Sequence, residues 1–366
     1  MKLRYKIALG FMVFLVVLLT GISITISYTS DCQPIEVATT NDTMQAVRYS
    51  CYGPPEVLQL LEVDKPVPKD NQLLIKVHAA GVNPLDWHYM RGAPYIMRLG
   101  AGLGAPDDQR MGVDFAGTVV ETGKEVTKFK IGDEVFGGAT GAFGEYVVAS
   151  EDWGIALKPP NVSFEEAASV PIAAITALQA LRNHGEIQAG QKVLINGASG
   201  GVGTFAVQIA KSLGAEVTGV CSTRNQEMVR SLGADHMFDY KKEDYTQSGN
   251  QYDLIVDMVS NHSVSKNIDV LKPDGTFVIV GADKGNWIAP LMNPLKAMIM
   301  ANFVDQKLKF FVASLEQDDM NYLADLMEAG KLTAAIERTY SLEEVPAAIA
   351  HSEGGHARGK LVINLE

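Results

Sequence analysis

A glycine-rich segment is the part of the sequence whose residue types and spacing point most directly to a ligand. Residues 193–203 read VLINGASGGVG, and Ala198, Gly200 and Gly203 stand in the spacing G-x-G-x-x-G with alanine in the first place. In this pattern the second position lets the backbone approach a pyrophosphate, and the third lets the helix pack closely on the strand. The sequence therefore predicts a dinucleotide-binding loop in which the helix N-terminus faces the phosphates. The loop residues are Ala198, Ser199, Gly200, Gly201, Val202 and Gly203.

The end of the next predicted strand indicates which dinucleotide is bound. A site for NAD carries Asp or Glu about 20 residues after the loop, where the carboxylate binds the ribose 2′-hydroxyl. Here Ser222 and Arg224 follow the strand, with no acidic residue at its tip. A hydroxyl and a guanidinium suit a 2′-phosphate, and Tyr240 after the following strand is expected to complete the adenosine pocket. The residues therefore predict that the cofactor is NADPH. The alternative is that Arg224 is only a solvated loop residue without a role in cofactor binding.

The segments around the loop predict the elements that must position it. Apolar runs at 192–196, 216–221, 237–240, 254–258 and 277–280 alternate with helical patterns at 201–213 and 226–232. Such α/β alternation predicts a doubly wound parallel sheet of the Rossmann type. Residues 44 to about 164 carry short β-type runs separated by turn residues, which predict a mostly β domain.

Several short motifs accompany the glycine loop along the chain. They read YGPPEVL at 52–58, AAGVNPLDW at 79–87, GVDFAG at 112–117, GDEV at 132–135, AAITAL at 173–178 and GHARGKLVI at 355–363. Together they resemble the medium-chain dehydrogenase/reductases, in the zinc-independent quinone oxidoreductase (zeta-crystallin-like) branch. The resemblance implies a GroES-like catalytic domain at 44–168, a Rossmann NADP(H)-binding domain at 169–306, and a return to the catalytic domain at 307–366. It also implies that two copies of the chain pair through the edge of the cofactor-binding sheet.

The resemblance also bears on zinc. Zinc-dependent members carry a cysteine where this chain has Asn83 and a histidine where it has Val113. Without those ligands, no Lewis acid polarises an alcohol oxygen. The expected reaction is then hydride transfer from NADPH, without zinc, to an acceptor that is already electrophilic, such as a quinone or an α,β-unsaturated carbonyl.

The family pattern assigns roles to further residues. Asn83 is expected at the acceptor carbonyl, Tyr89 is a candidate proton donor, and Trp87 and Tyr95 are expected to form an apolar wall for a flat substrate. Additional cofactor contacts are expected from four residues: Thr176, Gly281, Arg358 and Lys360.

Two other functions fit the same residues. One is a zinc-free alcohol or aldehyde dehydrogenase, which the missing metal ligands disfavour. The other is an NADPH-binding regulatory or interaction protein that has lost turnover. Steady-state consumption of NADPH with a quinone and with an enal distinguishes the three.

Composition excludes other classes of partner and site. The 366 residues carry a formal charge of −12, and an acidic chain of this kind is a poor ligand for nucleic acid. The three cysteines, Cys32, Cys51 and Cys221, lie far apart in the sequence. Their spacing indicates neither a disulfide framework nor a cysteine-rich zinc site.

The first 43 residues differ in character from the rest. Lys2, Arg4 and Lys6 precede an uncharged run over 7–28, about 33 Å long as a helix against a hydrocarbon core of roughly 30 Å. The run predicts a single-pass N-terminal membrane anchor at 1–30, with a cleaved signal as the alternative, followed by a polar linker at 31–43. The cations predict that the body lies across the membrane. The cytosolic supply of NADPH favours a cytoplasmic body, and we give that argument the greater weight.

Overall fold

The computed structural model describes residues 11, 17, 18, 20–35, 37–281, 285–287 and 289–366. Its strands are numbered here in chain order. They are β1 (Thr43–Arg48), β2 (Gln59–Asp64), β3 (Gln72–Val82), β4 (Asp114–Thr122), β5 (Glu134–Gly138), β6 (Tyr146–Ser150), β7 (Ile155–Leu157), β8 (Lys192–Asn196), β9 (Glu216–Cys221), β10 (His236–Asp239), β11 (Tyr252–Asp257), β12 (Leu271–Ile279), β13 (Lys307–Phe310), β14 (Ile336–Tyr340) and β15 (Lys360–Asn364).

The helices are numbered in the same way. They are α1 (Pro84–Arg91), α2 (Arg98–Ala101), α3 (Phe164–Ala168), α4 (Pro171–Leu178), α5 (Gly201–Ser212), α6 (Gln226–Ser231), α7 (Val264–Asp269), α8 (Ala289–Met300), α9 (Gln317–Glu328) and α10 (Val345–Glu353).

The predicted doubly wound sheet is confirmed. Six parallel strands lie in the order β10-β9-β8-β11-β12-β13. The order reverses between β8 and β11, so their carboxyl ends open a crevice of the kind in which such sheets bind ligands. Both strands are nearly continuous apolar runs because helices cover both faces of the sheet.

One predicted domain boundary lies one strand too early. The segment from residue 307 was expected to return to the catalytic domain, but β13 pairs with β12 and forms the edge of the parallel sheet. The return begins after it, because β14 and β15 join the other sheet of the molecule. Its strand order is β14-β15-β3-β4-β5-β7, with β6 also paired to β3. This is the GroES-like domain, and β15 lies antiparallel to β3 within it.

Two large apolar clusters support the site. One lies beneath the glycine loop and contains Val193, Ile195 and Phe205. The other fills the GroES-like domain and contains Phe115 and Phe143. The crevice lies between these two packed units, so rigid elements position both of its sides.

The prediction of a single-pass membrane protein is wrong. Among the residues that the structure describes, no helix is long and apolar enough to cross a membrane. The Arg98 guanidinium binds the carbonyl oxygens of Ile26, Ser27 and Tyr28. Residues 1–10, 12–16 and 19 of the predicted anchor lie outside the described residues.

The predicted linker is attached to the GroES-like domain at several points. Cys32 and Cys51 form a disulfide, which corrects the expectation that the cysteines form none. Their spacing of 19 residues gave no sign of it, because the chain folds back and brings the two Cα atoms to 4.5 Å. Farther along, the Thr39 and Thr40 hydroxyls both donate to the Asp64 carboxylate. Hydrogen bonds and a covalent bond therefore hold this segment against the first two strands.

Candidate functional site

The glycine loop joins the end of β8 at Asn196 to the start of α5 at Gly201, and its glycines serve different purposes. A Cβ at Gly203 would lie 2.1 Å from the carbonyl oxygen of Gly197, so the close packing of helix on strand requires glycine there. At Gly200 the nearest atom to such a Cβ is 3.5 Å away. The space in front of Gly200 is open, as a loop that admits a pyrophosphate requires. The helix α5 begins at Gly201 and directs its unpaired N–H groups toward that space.

A crevice of about 700 Å³ runs from this loop between the two domains. It brings together most of the cofactor residues that the sequence predicted. Those that line it are Asn83, Thr176, Ser199, Gly200, Gly201, Val202, Gly203, Ser222, Arg224, Tyr240 and Lys360.

The other predicted residues lie elsewhere. Ala198 is fully buried beneath the loop, at 0% exposure. Gly281 accepts the Ser260 hydroxyl just beyond the end of β12. Arg358 turns its guanidinium to the sulfur of Met228 on α6. None of the three lines the crevice, so their predicted contacts with the cofactor stay predictions.

The end of the crevice where adenosine is expected is lined by Ser222, Arg224, Asn225 and Tyr240. The Ser222 side chain is buried, while Arg224 is exposed and makes a single long bond, 3.3 Å, to the His356 carbonyl oxygen. The acidic residue nearest this end by sequence is Asp239, which ends β10 and is 2% exposed. Its carboxylate accepts the Thr223 hydroxyl and the Lys241 N–H. The Asp239 carboxylate therefore already has hydrogen-bond donors. It also ends β10, whereas the ribose-binding acid of an NAD site follows the strand after the glycine loop, which here is β9.

Sequence reasoning missed Asn225 at this end. Its amide nitrogen donates to the Ser199 hydroxyl at 3.0 Å, whereas its buried carbonyl oxygen has no hydrogen-bond partner among the described residues. Buried polar atoms without a partner are rare, and this one belongs to a side chain that lines the crevice. The open loop, the exposed Arg224 and this unpaired oxygen fit a dinucleotide. The sequence signal that could have singled out Asn225 is its position directly after Arg224.

The opposite end of the crevice is built on a buried polar cluster around Asn83. The Asn83 side chain is 1% exposed. Its amide nitrogen donates to Asp114 at 2.8 Å, and its amide oxygen accepts from Lys360 Nζ at 2.7 Å. Its backbone N–H is bound by Asp86 at 2.7 Å in a capping box at the start of α1. The cluster thus engages both the nitrogen and the oxygen of the Asn83 amide. Donation of a hydrogen bond from Asn83 to an acceptor carbonyl stays a prediction.

Burial dominates the electrostatics of this cluster. Desolvation raises the pKa of Asp86 to about 7 and that of Asp114 to about 6, although the Lys360 charge opposes both shifts. Desolvation likewise lowers the pKa of Lys360, against the attraction of the two carboxylates. Neither carboxylate was singled out from the sequence, because burial is what makes them unusual.

Thr176 lies on α4 and faces the crevice, and its hydroxyl donates to the Ile172 carbonyl oxygen at 2.7 Å. Opposite it, at the carboxyl ends of β8 and β11, Asn196 donates to both Asp257 and Asn261 at 2.8 Å. These bonds fix side chains and loops at the edge of the sheet where the reversal of strand order predicts a ligand.

The predicted aromatic wall is not part of the crevice lining. Trp87 packs on the core of the GroES-like domain and stacks on His88 with ring centroids 3.6 Å apart. Tyr89 is 39% exposed. Tyr95 lies edge-on to Trp287 at 4.8 Å and receives Arg98 over its ring at 4.6 Å. The substrate roles of Trp87, Tyr89 and Tyr95 stay predictions, and Trp287 joins this aromatic group as a residue that the sequence did not indicate.

Across the part of the chain that the structure describes, no three His, Cys, Asp or Glu side chains form a group that could hold a metal ion. Position 113, where zinc-dependent members were expected to carry histidine, is valine, which has no donor atom.

Comparison with known proteins places the chain among oxidoreductases. Residues 69–160 match the family model described as alcohol dehydrogenase GroES-like domain, and residues 232–363 match the one described as zinc-binding dehydrogenase. Over 340 residues the chain is 35% identical to a chloroplastic quinone-oxidoreductase homolog of Spinacia oleracea, covering 87% of this chain and 98% of the relative. It is 35% identical to a quinone oxidoreductase of Sus scrofa over 337 residues, covering 88% of this chain and 97% of the relative. A solved quinone oxidoreductase of Coxiella burnetii superposes with a TM-score of 0.77 at 33% identity, covering 88% of this chain and all of that one.

Proposed function

The chain belongs to the medium-chain dehydrogenase/reductase superfamily, and we propose that it transfers hydride from NADPH to a quinone or an α,β-unsaturated carbonyl without a bound zinc ion. Its homology to quinone oxidoreductases over nearly the whole chain makes it an NAD(P)H-dependent oxidoreductase. The observation that carries the proposal is the crevice at the reversal of strand order, with the open glycine loop on one side and the Asn83 cluster on the other.

The preference for NADPH is proposed from the adenosine end. Arg224 is exposed, has one long bond, and follows a strand without an acidic tip. A guanidinium binds phosphate through paired charge-assisted hydrogen bonds. The Asp239 carboxylate next to Tyr240 is buried and engaged with Thr223, so it does not compete for a ribose hydroxyl.

Reduction without zinc is proposed from the residues at the other end. Valine at 113 and Asn83, whose amide is held by Asp114 and Lys360, leave no pair of metal ligands at these positions. A simple alcohol needs a Lewis acid to stabilise its alkoxide. Quinones and enones are electrophilic in themselves, and they need mainly positioning and the exclusion of water.

The chain's own residues supply that positioning. NADPH, when bound, supplies a hydride at the nicotinamide ring. The glycine loop and the α5 N-terminus hold the pyrophosphate, Ser222 and Arg224 hold the adenosine end, and Thr176 borders the reacting end. Reduction of a quinone to a hydroquinone consumes one hydride and one proton. The proton is drawn from solvent unless Tyr89, the predicted donor, delivers it.

The test is turnover by the purified full-length chain. NADPH oxidation is followed at 340 nm with a benzoquinone, an enal, a simple aldehyde and, in the reverse direction, NADP⁺ with an alcohol. Each assay is run before and after dialysis against a chelator. We expect turnover with the quinone or the enal that the chelator does not change.

Other results would assign other functions. Turnover confined to the aldehyde and the alcohol would identify a dehydrogenase. Loss of activity on chelation, restored by zinc, would overturn the metal-free reading. Saturable NADPH binding with no turnover on any acceptor would identify a binding protein.

A further inference from the structure

A buried lysine lies where three sides of the crevice meet. Lys360 begins β15 and is 2% exposed. Its Nζ donates to Asn83 Oδ1 at 2.7 Å and to the Val82 carbonyl oxygen at 3.1 Å, and it lies 3.8 Å from Asp114 Oδ2. A buried ammonium is costly unless paired charges and hydrogen bonds compensate it. Here a carboxylate and two oxygen acceptors do so.

The first side of the crevice is the turn between β3 and α1. Lys360 binds the Asn83 amide oxygen, which leaves the amide nitrogen directed at Asp114. These two bonds together fix the orientation of the amide. Pro84 and Leu85, which follow Asn83, line the crevice beside it.

The second side is α4. Asp114 accepts the backbone N–H of Ile172 at 3.1 Å, in the first turn of that helix. Thr176, one turn later, faces the crevice. The carboxylate that compensates Lys360 therefore also fixes where α4 begins.

The third side is the glycine loop. Gly359, next to Lys360, donates its N–H to the Ser199 carbonyl oxygen at 2.9 Å and pairs with Gly200 in an isolated parallel bridge. The Lys360 stem passes so close to the loop that its Cδ would lie 3.3 Å from a Cβ at Gly201. The β15 start thus joins the Rossmann domain to the GroES-like domain at the point where the cofactor is expected.

We propose that Lys360 is a positioning residue: its ammonium, held between Asn83 and Asp114, keeps the turn before α1, the start of α4 and the glycine loop at the separation that a nicotinamide dinucleotide requires. This differs from direct contact between Lys360 and the cofactor. The inference rests on the proposed function only in taking the crevice as the site of the dinucleotide.

Removing one charge of the pair should disturb all three sides. In Lys360→Met, Asp114 is left as a buried anion without compensation, and the structure must admit water or a proton to relieve it. In Lys360→Met/Asp114→Asn the ion pair is replaced by two uncharged side chains. The amide introduced at position 114 can accept the Ile172 N–H with its oxygen and donate with its nitrogen to the Asn83 amide oxygen, once the Asn83 amide turns over in the absence of the ammonium. The sides of the crevice can then keep their places.

Lys158 provides a matched control. It is a second buried lysine of the GroES-like domain, with 5% of its side chain exposed, and it pairs with Glu134 at 2.9 Å. Its Nζ also donates to the Val162 carbonyl oxygen at 2.7 Å. Lys158 does not line the crevice, and the Glu134 carboxylate that its loss leaves behind is 50% exposed. Lys158→Met therefore reports the loss of a largely buried lysine side chain and its ion pair away from the crevice.

The experiment measures the NADPH dissociation constant by cofactor fluorescence, together with the melting temperature, for the full-length variants. We expect Lys360→Met to raise the dissociation constant at least tenfold, Lys158→Met to change it less than twofold, and the double variant to return within about threefold of wild type. If Lys360→Met does not fold, Asp114→Asn takes its place in the comparison, because it leaves the lysine unpaired instead.

Three results would overturn the proposal. An effect of Lys360→Met on NADPH binding no larger than that of Lys158→Met would make Lys360 a structural residue only. A double variant as weak as the single variants would mean that Lys360 contacts the cofactor itself. Absence of NADPH binding by the wild-type chain would instead overturn the proposed function, and the inference with it.

Discussion

The two ends of the crevice are built from side chains of opposite kinds, an exposed Arg224 at one end and the buried Asn83 and Lys360 at the other. Arg224 was predicted because its position after a strand and its chemistry are both visible in the sequence. Asn225 and Asp114 were not, because their importance comes from burial and from partners far away in the chain. Lys360 was predicted to reach the cofactor, yet its partners Asn83 and Asp114 lie 277 and 246 positions earlier (360 − 83 and 360 − 114). Only the fold brings these three side chains together.

Arg224 tests the choice of dinucleotide. Arg224→Ala should weaken NADPH binding about tenfold or more and leave NADH binding nearly unchanged, because charge-assisted bonds to the extra phosphate are lost. Titration of both cofactors by fluorescence measures this. Arg230→Ala, an exposed arginine on the neighbouring α6 that does not line the crevice, is the control. Equal weakening of NADPH and NADH would remove Arg224 from the 2′-phosphate site.

Asp86 tests the buried cluster through pH. Its pKa is raised to about 7, first by desolvation, with Asp114 on β4 and Lys360 on β15 as the charged groups that face it. The folded protein therefore binds this proton more tightly than the unfolded chain. The associated stability is present below the unfolded pKa of 3.8 and is lost as the pH rises through about 7.

The expected result concerns the variant Asp86→Asn, which keeps an acceptor for the Asn83 N–H but does not ionise. Relative to this variant, wild type should lose stability between pH 4 and 8, by at most ~1.4 kcal/mol for each unit by which the pKa is raised. Denaturant unfolding at several pH values measures the difference. A difference that stays constant with pH would show that Asp86 is not a buried titrating group.

At the scale of elements, the parallel sheet and its glycine loop follow from the sequence because their signals are local. Apolar runs of strand length and helix-spaced residues alternate over 192–280. The assignment of β13 was wrong for the opposite reason: KLKF has a charged, partly exposed pattern typical of an edge strand of either sheet. Its partner is decided by pairing with β12, which no local pattern encodes.

The glycine loop makes a prediction at this scale. Gly200→Val should abolish NADPH binding without lowering the melting temperature much, because its side chain enters the open space that the pyrophosphate needs. Gly100→Val, at an exposed position of α2 where a Cβ meets nothing within 4 Å, should leave binding unchanged. NADPH binding retained by Gly200→Val would show that the loop is not the phosphate site.

The disulfide between Cys32 and Cys51 leads to a prediction about stability. Cys32–Cys51 closes a loop over a sequence separation of 19 residues, and a cross-link of that size stabilises a domain by about 3 kcal/mol in the chain-entropy account. Cys32→Ser should therefore lower the free energy of unfolding by up to that amount, and a reducing agent should affect wild type but not the variant. Unfolding curves with and without dithiothreitol measure this. Identical curves for wild type in both conditions would contradict a stabilising cross-link.

At the scale of the whole molecule, two domains share one crevice because the chain leaves the GroES-like domain, builds the Rossmann sheet and returns in β14 and β15. The resemblance to known reductases predicted this division from motifs that span residues 52–363. The N-terminal segment was predicted as a membrane span from its hydropathy, and that prediction is wrong: among the residues that the structure describes, no helix is long and apolar enough to cross a membrane. Hydropathy also does not register the hydrogen bonds of Arg98 to residues 26–28 or the disulfide between Cys32 and Cys51. Pairing of two copies stays a prediction.

The central claim is that this crevice binds NADPH and passes its hydride to an electrophilic acceptor without a metal ion. The most direct measurement uses full-length protein freed of metal by chelation, with zinc content measured, and NADPH deuterated at the transferred position of the nicotinamide. With a benzoquinone as acceptor, the account predicts turnover by the metal-free protein and slower oxidation of the deuterated cofactor when hydride transfer limits a single turnover. Activity that appears only after zinc is restored, or no oxidation of bound NADPH by any quinone or enone, would contradict it.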